Sequence, residues 1–315
     1  MLRPRTVTMR AEAELEEIDP MTGQVISKSL AKVASETVKT ASGVTWAYRS
    51  AGKDSAGTPV VFIHGLGSNS FTWRFVLQAL AEKGFSCVAP DWVGHGGSDK
   101  PDLAYTQSDF AAGLAEFLEA VGLGGDAKIS LVVQGYVLPQ YAMLWAAANE
   151  DRVERIVVLP TPLSLKTKLP PALAPYKAAV AFLRPKKGEA FAGDVWAASQ
   201  SAYVMQREVA DGYQAPFDAD PMASTCVERT MEALDWKALL GDVDEAFRTW
   251  KTPGLVATST SDPFLKTNEA FEWLDSKRTC LRGQAIDAKV GHIAQEDYPQ
   301  PVADLLAAFL SGGMD

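Results

Sequence analysis

Short apolar runs separated by stretches of helical periodicity constrain this chain more than any other feature. Pro59-Val60-Val61-Phe62-Ile63-His64, Phe85 to Pro90, Lys128 to Val133, Ile156 to Leu159 and Gly254-Leu255-Val256-Ala257 place apolar side chains on successive positions instead of alternating them with polar ones. A strand that is apolar on both faces must be covered on both faces, which points to a parallel sheet under helices. Between the runs, Trp73 to Lys83 carries Trp73, Val76, Leu77 and Leu80 on one helical face, and Ser108 to Val121 is amphipathic. Further helices are predicted up to about Asn149, around Asn268 to Leu274 and over Val302 to Leu310. Glu36 to Lys39 and Val44 to Arg49 read as a hairpin around Ala41-Ser42-Gly43, and Cys280 to Ala288 as a weaker late strand. The β-α-β-α order predicts an α/β fold with a mostly parallel sheet and helices on both faces.

The rhythm breaks after Pro160. From there to about Ala233 no strand is evident, and Pro162, Pro170, Pro171, Pro175, Pro185, Pro216 and Pro221 punctuate short helical pieces. The predicted organisation is therefore a first half of the core over 33–160, a helical cap over 161–233 and a second half of the core over 234–315. Segment 1–32 reads as a disordered arm or the remnant of a transit peptide. Arg3, Arg5 and Arg10 stand without an acid in Met1 to Arg10, and an acidic stretch from Glu12 to Asp19 follows.

Composition narrows the partners. A formal net charge of −9 over 315 residues argues against nucleic acid and anionic membrane, which need a basic face. No apolar run approaches the roughly 20 residues of a membrane span, so a soluble chain is expected. Cys87, Cys226 and Cys280 are odd in number and far apart, which fits reduced interior thiols and no metal site. Cys226 is the one cysteine near a plausible site.

Four loops carry the chemistry. His64-Gly65-Leu66-Gly67 follows a central strand, where backbone N–H groups of a glycine-rich loop could face a developing oxyanion. Asp91-Trp92-Val93-Gly94-His95-Gly96-Gly97 follows the next strand; His64 and His95 both read as loop-packing residues. Ser261-Asp262-Pro263-Phe264 follows a late strand, the place for an acid that orients a histidine, and Gly291-His292-Ile293-Ala294 precedes the last helix. Val133-Gln134-Gly135-Tyr136-Val137 is a strand running into a sharp turn and a helix. Its order with the acid and the histidine is that of the α/β-hydrolase elbow, acid and base. At the apex, where such elbows present a nucleophile, stands Gly135.

From about residue 36 to the C-terminus the chain resembles α/β-hydrolases of the haloalkane dehalogenase and epoxide hydrolase branch. It is similar to the dehalogenase-like proteins of plant and algal plastids, which share Gln134-Gly135-Tyr136 at the elbow; Lys168-Leu169-Pro170 at the start of the insertion adds to the likeness. The resemblance implies an eight-stranded sheet, a plastid location, Asp262 as acid, His292 as base, and the backbone N–H groups of Leu66 and Tyr136, beside Gly65, as oxyanion donors. It also implies no cofactor. Two departures stand out: dehalogenases of this branch carry Asp-Trp where this chain has Gly135-Tyr136, and a halide-binding Asn where it has Leu66. Glycine at the apex should relax a turn that costs other residues about 1–3 kcal/mol.

The cap would supply Phe182, Phe191, Trp196, Tyr203, Tyr213 and Phe217 as an aromatic lining or as packing, and the resemblance to epoxide hydrolases, whose caps use tyrosines to polarise the substrate, implies that role for Tyr203 or Tyr213. Lys186 and Lys187 read as a solvated loop. Three functions remain open on the sequence. One is a non-covalent enzyme using His292 and Asp262 on a small apolar molecule. The second is a catalytically inactive binder of such a molecule, and the third a scaffold subunit.

Overall fold

The computed structural model describes residues 32–53, 55–179, 205–276, 279–286 and 290–313. Apart from Lys32, the expected N-terminal arm lies outside them, as do Phe182, Phe191, Trp196 and Tyr203 of the expected cap lining and the lysines Lys186 and Lys187.

Eight strands form one sheet in the order β1-β2-β4-β3-β5-β6-β7-β8. They are β1 (Ala34–Lys39), β2 (Thr45–Ala51), β3 (Val60–Ile63), β4 (Cys87–Pro90), β5 (Ile129–Val133), β6 (Val153–Val158), β7 (Gly254–Ser259) and β8 (Leu281–Ile286). Strand β2 runs antiparallel to both of its neighbours, and the remaining pairs are parallel.

The continuous apolar runs now have their reason. In β5, Leu131 and Val133 enter one core while Val132 enters the other; Ile156 and Val158 against Val157 repeat this in β6. On the first face lie α2 (Gln107–Ala120), through Phe110, Leu114 and Phe117, and α3 (Leu138–Ala148), through Leu138, Tyr141 and Trp145. On the second lie α1 (Arg74–Glu82), through Val76, Leu77 and Leu80, and the last helix (Pro299–Leu310), through Val302, Leu306 and Phe309. The start of α2 is fixed by a capping box. Asp109 N–H donates to Thr106 Oγ1 at 3.3 Å and Thr106 N–H to Asp109 Oδ2 at 2.9 Å.

Between β6 and β7 the described chain runs through loops and a short 3-10 turn (Ala174–Lys177) and then three helices: α4 (Arg207–Ala219), α5 (Met222–Ala233) and α6 (Trp236–Ala246). Lys177 Nζ donates to the carbonyls of Met231, at 3.0 Å, and Leu234, at 2.7 Å, and so closes the C-terminal end of α5 with a cation. Beyond β7 lie α7 (Thr267–Asp275), the short α8 (Ala294–Asp297) and α9, the last helix. Among the described residues no helix is long and apolar enough to cross a membrane.

Strand order reverses around β3, which pairs with β4 on one side and β5 on the other. Open α/β sheets bind ligands in the crevice at the carboxyl ends of strands at such a reversal. Gly65 and Gly135 stand there, after β3 and β5.

Candidate active site

Gly135 adopts φ +106°, a backbone region that favours glycine. Its N–H is held by Pro160 O at 3.1 Å and Thr161 Oγ1 at 3.2 Å. A Cβ added at Gly135 would lie 2.9 Å from Gly65 Cα and 3.3 Å from Gly65 N. Two backbones thus occupy the volume in which a nucleophile would begin. The turn is not relaxed throughout, however. Val137, a β-branched residue, takes φ 71° and ψ −68°, and Leu138 N–H donates to Tyr136 O at 3.0 Å. This is the rare γ-turn with a positive central φ, so the strain sits two residues past the apex.

The same turn redirects an expected oxyanion donor. Leu66 N–H, which the sequence places toward an oxyanion, donates to Tyr136 O at 3.0 Å. With Val137 at φ 71°, the carbonyl of the Tyr136–Val137 peptide accepts from both Leu66 and Leu138.

His292 and Asp262 are brought together. His292 Nδ1 lies 2.8 Å from Asp262 Oδ2, with side chains 5% and 1% exposed. Asp262 Oδ1 accepts the N–H groups of Phe264, at 2.8 Å, and Leu265, at 3.1 Å. A carboxylate on Nδ1 fixes the proton there and leaves Nε2 as the acceptor of the neutral ring. Tyr136 lies between two rings, with its centroid 5.3 Å from that of His292 and 5.7 Å from that of Trp236. Its buried hydroxyl has no hydrogen-bond partner, and burial, then the Asp262 charge, raise its pKa and keep it protonated.

Two glutamines that sequence reasoning passed over tie the elbow to the histidine loop. Gln134 Nε2 donates to His292 O at 2.9 Å, while Gln295 Nε2 donates to Gln134 Oε1 at 2.9 Å and to Thr72 Oγ1 at 2.8 Å. The available signal was a lone amide between an apolar strand and the apex glycine. Buried in such a place, an amide must find partners on neighbouring loops.

Tyr213 goes elsewhere than the pocket expected for it. Its hydroxyl donates to Glu296 Oε2 at 2.5 Å and its residue is fully buried. His64 accepts Trp92 N–H at Nε2, 3.1 Å, and pairs Nδ1 with Gly65 O at 2.8 Å; burial pushes its pKa down to about 4. Cys226 packs against Gly94, and burial raises its thiol pKa. Among the described residues no group of three or more His, Cys, Asp or Glu side chains is arranged to hold a metal ion.

A β3–glycine loop, a β5 elbow, an acid after β7 and a histidine before the last helix, on a sheet with this strand order, define the α/β-hydrolase architecture. The chain belongs to the α/β-hydrolase family, whose profile, described as "Alpha/beta hydrolase family", matches residues 60–305. It is haloalkane dehalogenase-like. A haloalkane dehalogenase of Agrobacterium fabrum is 26% identical over 275 residues, which span 81% of this chain and 86% of that protein. A soluble epoxide hydrolase of Corynebacterium sp. is 34% identical over 104 residues, 33% of this chain and 35% of that one. Among solved structures, the haloalkane dehalogenase DbeA of Bradyrhizobium elkani superposes with a TM-score of 0.73 at 20% identity, over 90% of this chain and 98% of that one; at that identity the likeness is one of fold.

Proposed function

We propose that the crevice at His292 holds a small apolar molecule and forms no covalent intermediate with it. The observation that carries this reading is the backbone contact between Gly135 and Gly65, which leaves no room for a nucleophile at the apex. Dehalogenation of the kind named for the relatives is therefore not the activity proposed, since Gly135 and Leu66 replace the groups that chemistry requires. His292 and Asp262 remain as an oriented pair. The neutral imidazole is a general base for hydrolase- or lyase-type turnover of a bound molecule, an effect of about 10²–10⁴-fold. The alternative is a pseudoenzyme in which the same crevice only binds. A scaffold role has less support, because Leu165 is the one large hydrophobic among the described residues that is exposed, and docking needs a wider apolar patch.

The finer likeness, to dehalogenase-like proteins of plastids, belongs to the same proposal. Gln134-Gly135-Tyr136 and the basic Met1 to Arg10 support it, and a fluorescent fusion of the whole chain tests it.

Mass spectrometry of small molecules retained by the natively purified protein, beside His292→Ala, tests the function. A retained apolar molecule is the expected result. If it is chemically altered in one protein and not the other, turnover is supported; if it is the same in both, binding alone. An empty crevice in both would overturn the proposal.

A further inference from the structure

Glu296 lies four residues beyond His292 and gathers the side chains that attach α4 to the core. Arg74 forks onto it, Nη1 to Oε2 at 2.7 Å and Nη2 to Oε1 at 2.5 Å, while Tyr213 Oη donates to Oε2 at 2.5 Å. The ion pair is buried, with side-chain exposures of 8% for Arg74 and 10% for Glu296. A pair so removed from water depends on the hydrogen bonds that it does make, and since Arg74 Nε has none, the Tyr213 hydroxyl on Glu296 is more than a packing contact.

The helical side of this junction is narrow. Tyr213 and Val209 form a small cluster with Phe71, Met205 and Phe217. The Tyr213 ring meets Phe71 edge-on at 5.2 Å, and the Arg74 guanidinium lies 3.9 Å from the centroid of that same Phe71 ring. A Cβ at Gly212 would stand 3.2 Å from Phe71, so α4 sits close on this spot.

The other side leads to the dyad through a closed segment. Glu296 N–H donates to Ile293 O at 2.9 Å, Asp297 N–H to the same oxygen at 3.0 Å, and Gly291 N–H to Asp297 Oδ2 at 2.6 Å. These hydrogen bonds close residues 291–297 into one piece that carries both His292 and Glu296.

We infer that Tyr213 is a positioning residue: the hydrogen bond from its hydroxyl to Glu296 fixes that carboxylate and, through segment 291–297, holds the His292 ring on Asp262. The inference deepens the reading of the His292 crevice proposed above, but its test needs no ligand.

The chain has three histidines, His64, His95 and His292, so ¹⁵N-histidine labelling resolves each ring. In Tyr213→Phe the Nδ1 proton of His292 is expected to exchange with solvent roughly tenfold faster, the order set by loss of one charge-assisted hydrogen bond. The His64 Nδ1 proton stays as it was. Val209→Ala, which loosens α4 without touching Glu296, is expected to leave His292 unchanged. Glu296→Asp, which draws the carboxylate back from Tyr213 and keeps its charge toward Arg74, should reproduce the acceleration and serves if Tyr213→Phe does not fold. Unchanged exchange in both, or equal acceleration in Val209→Ala, overturns the inference. An empty crevice with this coupling intact would overturn only the proposed function.

Discussion

The N–H of Leu66 donates to the carbonyl oxygen of Tyr136 across 3.0 Å, so a donor that would stabilise an oxyanion in a hydrolase of this architecture is already satisfied by the protein's own backbone. Two losses are thus coupled in one turn. Gly135 removes the nucleophile, and the Tyr136–Val137 peptide, with Val137 at φ 71°, turns its carbonyl onto the remaining donor.

Restoring a side chain at the apex is therefore expected to damage the protein without reviving covalent chemistry. In Gly135→Ser the new Cβ would meet Gly65 Cα at 2.9 Å on a backbone at φ +106°. Strain and overpacking together should cost about 2–4 kcal/mol in urea denaturation. A stoichiometric, His292-dependent acyl burst with p-nitrophenyl acetate would refute this account of the elbow.

The strain at Val137 predicts an inverted order between two truncations. Val137→Ala empties two methyl groups of buried space and Val137→Gly one carbon more, and at an ordinary position glycine is the less stable of the two. With φ at 71° the backbone favours glycine, so Val137→Gly should be the more stable by about 1 kcal/mol. Equal-temperature urea midpoints of the pair decide it, and the normal order would remove the strain argument.

The sheet was legible in the sequence because both of its faces are covered: in β5, Leu131 and Val133 face one core and Val132 the other, so three apolar residues stand in a row. His292 and Asp262 were legible for a similar reason, each in a short loop fixed between a strand and a helix. Three features were not. The orientation of the Tyr136 carbonyl depends on ψ and φ on either side of one peptide, which residue identity does not specify. Gln134 and Gln295 lie far apart in the chain and meet only when the loops are assembled. Tyr213 was one of two tyrosines offered for the pocket, and its partner Glu296 could not be told from the sequence, because Glu296 is buried only through Arg74, which lies more than two hundred residues earlier in the chain.

Asp262 has a structural task beside its contact with His292, and two variants separate them. Asp262→Asn retains an oxygen for the N–H groups of Phe264 and Leu265, whereas Asp262→Ala leaves both without their acceptor. Alanine should cost about 2 kcal/mol of stability and asparagine less than about 1. Both variants should lose the protected His292 Nδ1 proton. Equal destabilisation by the two would show that Oδ1 does not organise the loop.

Buried histidines make the fold sensitive to mild acid. Burial pushes His95 down to about 3, with neighbouring His64 adding to the effect, and burial likewise pushes His64 down to about 4. The unfolded chain, with histidines near the ordinary 6.5, therefore binds protons that the folded chain refuses. Stability contributed by their neutral forms is complete above that ordinary value and falls as pH drops toward the folded values, by up to about 1.4 kcal/mol per pH unit for each histidine. His95 Nε2 has no hydrogen-bond partner and its Nδ1 only a 3.3 Å contact to Val93 O, so leucine can replace it at small cost near pH 7. Between pH 6 and 4, His95→Leu should retain about 1–3 kcal/mol that the parent protein loses. Urea denaturation at pH 7, 6, 5 and 4 measures the difference; parallel curves would mean that His95 titrates alike in the folded and unfolded chains.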